Sequence, residues 1–319
     1  MSQAAGKPPV PPSPAAAGGA PFRAGTVALL GPPNAGKSTL LNALLGQKLA
    51  IVAPKPQTTR RLLRGVLELP GVQAVLVDTP GLLQGRNHLE WGMRRQALDA
   101  MRDADLVLAL VSRDTKEAWK GPSAPRLPRG RSAIVVTKSD EEGASASSAL
   151  ADEMGLALGG VERRLAVSAV KKRGLESLVE LIRSSLPEGP PLFTGEQLTD
   201  TTLREAAAEI IREKALLLCR EEVPHAIAVG VDLYREREDG LHEVHATIYV
   251  ERESQKGIVI GKGGERLKAI GTRARGDLER LAEAKVFLQL WVKVSKDWKQ
   301  NPAFLKELGY PSGKKPHAD

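Results

Sequence analysis

The sequence predicts two units: an α/β domain on a mostly parallel sheet, then a smaller α+β domain. Three observations carry this. Apolar runs at Thr26–Leu30, Gln73–Val77, Ser132–Val136 and Leu165–Ala169 each end in a polar or glycine-bearing loop, as buried strands do when their carboxyl ends open onto a site. In the second half, stretches of helical period alternate with β-branched runs such as Val244–Val250. Finally, 319 residues are long for a single core.

The first strand runs into Gly31-Pro32-Pro33-Asn34-Ala35-Gly36-Lys37-Ser38, and a helical run, Thr39–Leu45, follows up to Gly46. Strand, G-x-x-x-x-G-K-[ST] loop and helix start are the context a phosphate-binding loop requires. Glycines let backbone N–H groups turn toward phosphate oxygens, where the positive end of the helix also points. Lys37 is placed to reach the β/γ-phosphates and Ser38 to hold Mg²⁺.

The second strand runs into Asp78-Thr79-Pro80-Gly81. A carboxylate at that strand end can hold Mg²⁺, and Gly81 lets its N–H approach the γ-phosphate. The third leads into Thr137-Lys138-Ser139-Asp140. The Asp140 carboxylate can accept from guanine N1–H and its exocyclic amine, which adenine cannot match, while the Lys138 stem lies across the base. The fourth ends at Ser168-Ala169, whose backbone can receive guanine O6. Between the phosphate loop and Asp78 lies Pro54-Lys55-Pro56-Gln57-Thr58-Thr59-Arg60-Arg61. Such a loop can order over a γ-phosphate with a threonine on Mg²⁺ and relax after hydrolysis. Thr59 is favoured; Thr58 is its rival, and spacing does not choose. Arg60 and Arg61 can also act on the developing charge, but basic residues of such a loop are usually solvated, and they are read so.

These residues resemble the Era family of bacterial GTPases: the Gly31–Ser38 loop continuing to Gly46, Gln57-Thr58-Thr59-Arg60, Asp78-Thr79-Pro80-Gly81-Leu82, and Ser168-Ala169 followed by Gly174-Leu175 and Leu178. The resemblance implies a cytoplasmic GTPase that uses GTP and Mg²⁺ and assists assembly of the small ribosomal subunit. It allows a peripheral contact at the inner face of the cell membrane and implies no obligate oligomer. The expected nucleotide set is Gly31, Asn34, Ala35, Gly36, Lys37, Ser38, Thr39, Thr137, Lys138, Asp140, Ser168 and Ala169. Ser38, Thr59 and Asp78 are expected at Mg²⁺, and Lys37, Thr59, Asp78, Gly81 and Asn34 in catalysis. In related GTPases an Asn at the place of Asn34 helps hold K⁺ beside the β/γ-phosphates; the alternative role is a turn residue tolerating unusual φ/ψ.

Two departures stand out. Thr137 occupies a position where the family usually has Asn, which alters the brace to the phosphate loop and predicts somewhat weaker nucleotide binding. The segment 113–130 is short and carries Pro122, Pro125 and Pro128 where relatives have an amphipathic helix, so a truncated helix or a loop is expected. After Gly81 comes Leu82, where Ras-like GTPases place a water-orienting Gln. Leucine cannot bond water, so slow intrinsic turnover is expected.

Composition fits a polyanion-binding protein of ordinary core content. Hydrophobic residues make up 42% and charged residues 26%, and the net charge is +8, which favours a polyanionic partner without naming it. The single cysteine, Cys219, excludes an internal disulfide and suits a reducing compartment. No 18-residue apolar run exists to propose a membrane span. Residues 1–22 are Pro/Ala/Gly-rich and read as a disordered tail.

Basic excess in the second half is local: residues 203–255 hold 7 Lys/Arg against 12 Asp/Glu, whereas 256–299 hold 11 against 5. That basic stretch contains Gly261-Lys262-Gly263-Gly264, a G-x-x-G loop between an apolar run and a helix beginning near Glu265. Such a loop clamps about four single-stranded nucleotides, with Lys262, Arg266 and Lys268 adding charge. With a helix over Leu203–Cys219, strands over Ala226–Tyr234, Val244–Val250 and Val286–Val294, and a helix over Thr272–Ala284, the order is α-β-β-α-α-β, the type II KH arrangement. The Era resemblance continues through Glu222-Val223-Pro224-His225, Val259–Gly264 and Leu290–Val294 and implies binding to single-stranded RNA near the 3′ end of small-subunit ribosomal RNA, in the 30S subunit. Rings make up 3% of the chain, too few for stacking to dominate. Phe287 and Trp291 fall on one side of the last strand, away from its valine/leucine face, and sequence assigns them no role. His242 and His245 point to opposite faces and make no metal site.

The expected organisation is a tail over 1–22, the GTPase domain over 23–187, a linker over 188–202, the KH domain over 203–302 and a second tail over 303–319. GTP ordering of the Thr58/Thr59 loop is expected to move the domains and hence RNA affinity. The alternatives are a nucleotide-gated RNA scaffold with vestigial hydrolysis and an ATP-using P-loop enzyme; complete phosphate-loop and Mg²⁺ residues oppose the first, and Thr137–Asp140 oppose the second.

Overall fold

A computed structural model describes residues 21–53, 58–82, 84–121, 124–193, 199, 201–219 and 223–314. The amino-terminal tail up to residue 20, loop residues 54–57, linker residues 194–198 and 200, Glu222 and the last five residues lie outside it.

Six strands form the first sheet: β1 (Arg23–Leu30), β2 (Leu63–Leu69), β3 (Val72–Asp78), β4 (Leu106–Val111), β5 (Ser132–Val136) and β6 (Arg164–Ala166). Their order is β2-β3-β1-β4-β5-β6; β2 runs antiparallel to β3 at one edge and the remaining pairings are parallel. Every residue of β3, β4 and β5 is buried, which explains their continuous apolar character: helices cover both faces. On one side α1 (Lys37–Leu45) and α6 (Leu175–Ser185) bring Leu40, Leu41, Leu178 and Ile182. On the other, α2 (His88–Asp103) and α5 (Ala144–Ala157) bring Ala97, Met101, Leu150 and Met154. Strand order reverses at β1, the place where open α/β sheets bind ligands. The phosphate loop sits at its carboxyl end. Within the 113–130 segment the helix is truncated to α3 (Lys116–Lys120), pinned by Trp119, whose buried indole N–H donates to the Leu110 carbonyl at 3.0 Å. A four-residue turn, α4 (Ser139–Glu142), follows β5.

The second unit comprises α7 (Leu203–Leu218), α8 (Val223–Ala226), β7 (Ala228–Glu236), β8 (His242–Val250), α9 (Glu253–Ile260), α10 (Glu265–Ala282) and β9 (Val286–Val294). Thr202 and Glu205 cap the start of α7 reciprocally. The sheet order is β7-β8-β9, antiparallel then parallel. Apolar residues of α7, α9 and α10 close one face, with Ile211, Val259, Ile270 and Ala274 meeting Ile248 and Val292. The first strand starts two residues later than expected because Val223–Ala226 turns helical. A single helix runs from Glu265 through the expected start at Thr272.

Two segments expected outside the domains make contacts with them. Linker residues 192–193 are bound to the first domain, where the backbone N–H groups of Leu192 and Phe193 donate to the Gln73 side chain at 2.7 and 2.9 Å. The carboxy-terminal tail is not free either. Asn301 caps α11 (Pro302–Glu307), with Pro302 at its first position. Leu305, Leu308 and Tyr310 are buried with Leu89 and Met93 of α2 and with Trp298. Sequence hid this because the stretch is too short to display a hydrophobic period. Among the described residues, no helix is long and apolar enough to cross a membrane.

Candidate functional site

Gly36, with φ +82°, turns the chain into α1, and Asn34 also holds a positive φ of +64°. Lys37 is buried and donates to the carbonyls of Gly31 and Pro32 at 3.0 and 2.9 Å. Burial pushes its pKa down to about 8, against the pull of Asp78. A cavity of about 70 Å³ lies here, lined by Asn34, Gly36, Lys37, Ser38, Thr59 and Gly81 among others. Gly81 must lack a side chain, since a Cβ would stand 2.8 Å from Pro33 in the phosphate loop.

Three oxygens converge beside the lysine. The Ser38 hydroxyl donates to Asp78 Oδ2 at 2.7 Å, the Thr59 hydroxyl donates to the same oxygen at 3.0 Å, and the two hydroxyls are 2.8 Å apart. Thr58 turns its hydroxyl toward the Ala53 carbonyl instead, at 3.4 Å. Asp78 is fully buried, burial raises its pKa, and its Oδ1 has no hydrogen-bond partner. A buried carboxylate with one oxygen shared by two hydroxyls and the other, Oδ1, left without a partner fits a hard cation that takes its other ligands from phosphate and water, as Mg²⁺ does.

Thr137 is buried and its hydroxyl lies 2.9 Å from the Ala35 carbonyl, to which it donates, with the Val111 carbonyl an alternative acceptor at 3.2 Å. The brace to the phosphate loop is therefore present in hydroxyl form. Next to it Lys138 adopts φ +57°, and its ammonium lies 3.4 Å from Asp114. The Ser168 hydroxyl, helped by Lys171 and Arg173, holds the exposed Asp140 carboxyl below its usual range. The Ser139 N–H donates to the Val167 carbonyl at 3.2 Å, drawing the two base-binding loops together. Leu82 packs against the core beneath α2 rather than facing the site.

Arg60 corrects the sequence reading. It is 1% exposed, donates to the Ile227 carbonyl at 2.6 Å, and lies over the rings of Trp298 and Tyr310 at 5.4 and 5.7 Å. A planar guanidinium can stack and bond at once, which composition cannot reveal. Arg61 donates to the Leu308 carbonyl. From the other side, Arg212 of α7 donates to the Thr58 carbonyl and pairs with Glu209; burial pulls its pKa down, but Glu209 with Tyr310 and Glu213 together hold it above its usual value. Glu213 accepts from the Val52 N–H at 3.1 Å and from Lys48 at 2.7 Å. The loop carrying Thr59 is thus gripped by the second domain. Arg212 and Glu213 were missed; the available sign was the charged run Arg212-Glu213-Lys214 set between Ile210-Ile211 and Ala215-Leu216.

In the second domain Gly261, Gly263 and Gly264 have φ of +75°, +59° and +84°. A Cβ on Gly261 would strike Arg266, whereas Gly263 and Gly264 face open space and leave their backbone approachable. Lys262 and Lys268 are exposed there. Arg266 is half-buried and donates to the Ile258 carbonyl, so it ties α10 to α9. His242 is buried against Tyr234, and His245 lies on the other face against Phe287 and Trp291. No His/Cys/Asp/Glu metal cluster occurs among the described residues.

Comparison with known proteins agrees with this geometry. A family model for a 50S ribosome-binding GTPase matches residues 26–128, and a KH-domain model matches 222–299. The GTPase Era of Geobacter metallireducens is 46% identical over 296 residues, covering 91% of this chain and 98% of that protein; the same-named protein of Lactobacillus helveticus is 42% identical over 293 residues, covering 91% and 96%. Among solved structures, Era in complex with MgGDPNP and nucleotides 1506–1542 of 16S ribosomal RNA superposes with a TM-score of 0.86 at 38% identity, covering 91% and 99% of the two chains. Aquifex aeolicus Era bound to GDP and AlF₄⁻ gives 0.84 at 38% identity, covering 91% and 100%.

Proposed function

This chain belongs to the Era family of GTPases, and on that premise we propose that it is a GTP-driven RNA chaperone of the small ribosomal subunit, binding the 3′ end of its RNA through the Gly261–Gly264 loop. The convergence of Ser38, Thr59 and Asp78, with Thr59 in a loop held by Arg212 of the RNA-binding domain, carries the reading. The relative solved with nucleotides 1506–1542 of 16S ribosomal RNA supports the choice of RNA.

In this reading Gly31–Thr39 cradle the phosphates, Asp140 and Lys138 select guanine, and Ser168-Ala169 receive its O6. Ser38, Thr59 and Asp78 would hold Mg²⁺, which would supply charge neutralisation to the phosphates. Thr59, not Thr58, is the ligand. Lys37 exchanges its two carbonyl partners for phosphate oxygens. The Gly81 N–H meets the γ-phosphate. No group at Leu82 orients water, so intrinsic turnover is slow. Asn34 lies at an exposed loop position and would supply an oxygen for K⁺, whose charge would offset charge developing at the phosphates. Placement in the cytoplasm, beside ribosomal particles, follows from the same reading.

The test is fluorescence anisotropy of a 3′-end RNA with protein loaded with GDP or a non-hydrolysable GTP analogue, at stated salt. Tighter binding with the analogue, abolished by Gly263→Asp, is expected. Equal affinity in both states would end the coupling, and undiminished binding by Gly263→Asp would end the assignment of the loop.

A further inference from the structure

The chain is poor in rings, yet among the described residues the two aromatic side chains that are more than a third exposed stand together: Phe287 at 49% and Trp291 at 38%. Both belong to β9, whose burial alternates residue by residue. Leu288, Leu290, Val292 and Val294 face the core under α9 and α10; Phe287, Gln289, Trp291 and Lys293 face outward. Four residues along a strand separate the two rings by about 13 Å. His245 fills that gap, because it lies opposite Gln289 on β8. Its ring stands edge-on to both, with centroids 6.2 Å from Phe287 and 5.5 Å from Trp291.

Half-exposed rings are costly to leave in water and are ordinarily buried or used. We propose that this outer sheet face is a second RNA surface, on which Phe287 and Trp291 stack nucleobases of the same strand that the Gly261–Gly264 loop clamps. The proposal rests on the RNA-binding reading above. Three features favour single-stranded RNA. The loop accounts for about four nucleotides, far fewer than the RNA segment bound by the solved relative. β9 is the free edge of its sheet, and the helices that present the loop pack on its other side, so a strand leaving the clamp reaches the rings by crossing one strand's width. Charge is also complementary. Glu243, which faces His245 at 3.0 Å, is already held by Arg235 at 2.7 Å, while Lys293 and, just before the strand, Lys285 are exposed. Ring faces take any base, so this surface adds affinity and leaves sequence choice to the cleft.

The experiment uses the full chain loaded with a GTP analogue, an RNA matching 1506–1542, and a pentanucleotide from its 3′ end. The variants are Phe287→Ala/Trp291→Ala and the ring-preserving Phe287→Tyr/Trp291→Phe. Removing both rings should weaken the long RNA by about tenfold or more per stacked base, with an unchanged salt slope because no phosphate contact is lost. It should leave the pentanucleotide and GTP hydrolysis unaffected, and the ring-preserving variant should bind like the parent. Quenching of tryptophan emission by the long RNA should vanish with Trp291→Phe. Long-RNA affinity within twofold of the parent overturns the platform, as does a loss equal for both RNAs. Loss of binding to ribosomal particles with long-RNA affinity intact assigns the face to a protein and also overturns it. If Gly263→Asp changes nothing while ring removal does, the loop assignment fails and the platform stands.

Discussion

Arg212, buried in the first helix of the KH domain, donates to the backbone carbonyl of Thr58, one residue before the threonine that meets Ser38 and Asp78. Any rearrangement at Thr59 is therefore felt in α7. Arg212→Ala leaves the half-buried Glu209 without its nearest cation and should lower stability by up to about 3 kcal/mol, read as a shifted urea midpoint. Arg212→Met/Glu209→Met removes both charges and should recover most of that loss. In that double variant RNA affinity should no longer distinguish GDP from a GTP analogue; persistence of the distinction would show that the coupling runs elsewhere.

The Thr137 hydroxyl replaces the usual amide as the brace on Ala35. Thr137→Val leaves a buried carbonyl without its donor, at about 1–3 kcal/mol, and should weaken GTP binding about fivefold or more. Thr137→Asn should match or exceed the parent. Competition binding with labelled GDP compares the three, and equal affinities would mean the brace contributes nothing.

Burial holds Lys37 near pKa 8 in the ligand-free protein, and phosphate at the loop favours the charged amine and raises the value again. Nucleotide affinity should be level below about pH 8 and decline as pH rises through it, with proton uptake on binding in that window. Calorimetry in buffers of different ionisation enthalpy should show uptake near pH 9 and none near pH 7. For folding the sign differs. The folded pKa lies below the unfolded value, so the unfolded chain binds more protons between about 8 and 10.5, and this group's contribution to stability rises with pH there.

Asn34 holds a positive φ, so Asn34→Gly keeps the turn and removes only the carboxamide. Turnover by the parent should be several-fold faster in KCl than in NaCl, and the variant should lose that difference. A K⁺ preference that survives the substitution would reassign the cation to another ligand.

Leu305, set aside from sequence as tail, is fully buried between the domains. Leu305→Ala should cost about 2–5 kcal/mol, visible by calorimetry, with GTP affinity preserved. No change would mean that the segment leaves the interface in solution.

The ends of β3 and β5 were legible because burial on both faces makes them rich in Val, Leu, Ile and Ala, and because each runs into a loop whose residue types point to one chemistry; β4, equally apolar, was passed over because no such loop follows it. The choice of Thr59 over Thr58 was not legible. Adjacent residues point in different directions, and which one faces Asp78 depends on the path of the loop. Arg60 was misread for a related reason: an arginine in a loop is usually solvated, and only the fold brings Ile227, Trp298 and Tyr310 from the distant half of the chain to enclose it. The carboxy-terminal seam was hidden similarly, since Leu305, Leu308 and Tyr310 gain meaning only against Leu89 and Met93.

The enclosure of Arg60 bears on how mutants of this protein will be classified. A genetic screen for defective GTP hydrolysis should return lesions at Trp298 and Tyr310, far in sequence from the phosphate loop, because the residue next to Thr59 is seated on those rings. Conversely, suppressors of a damaged Arg60 should arise in the KH half. A phenotype mapped to one domain will not identify which of the two activities was lost.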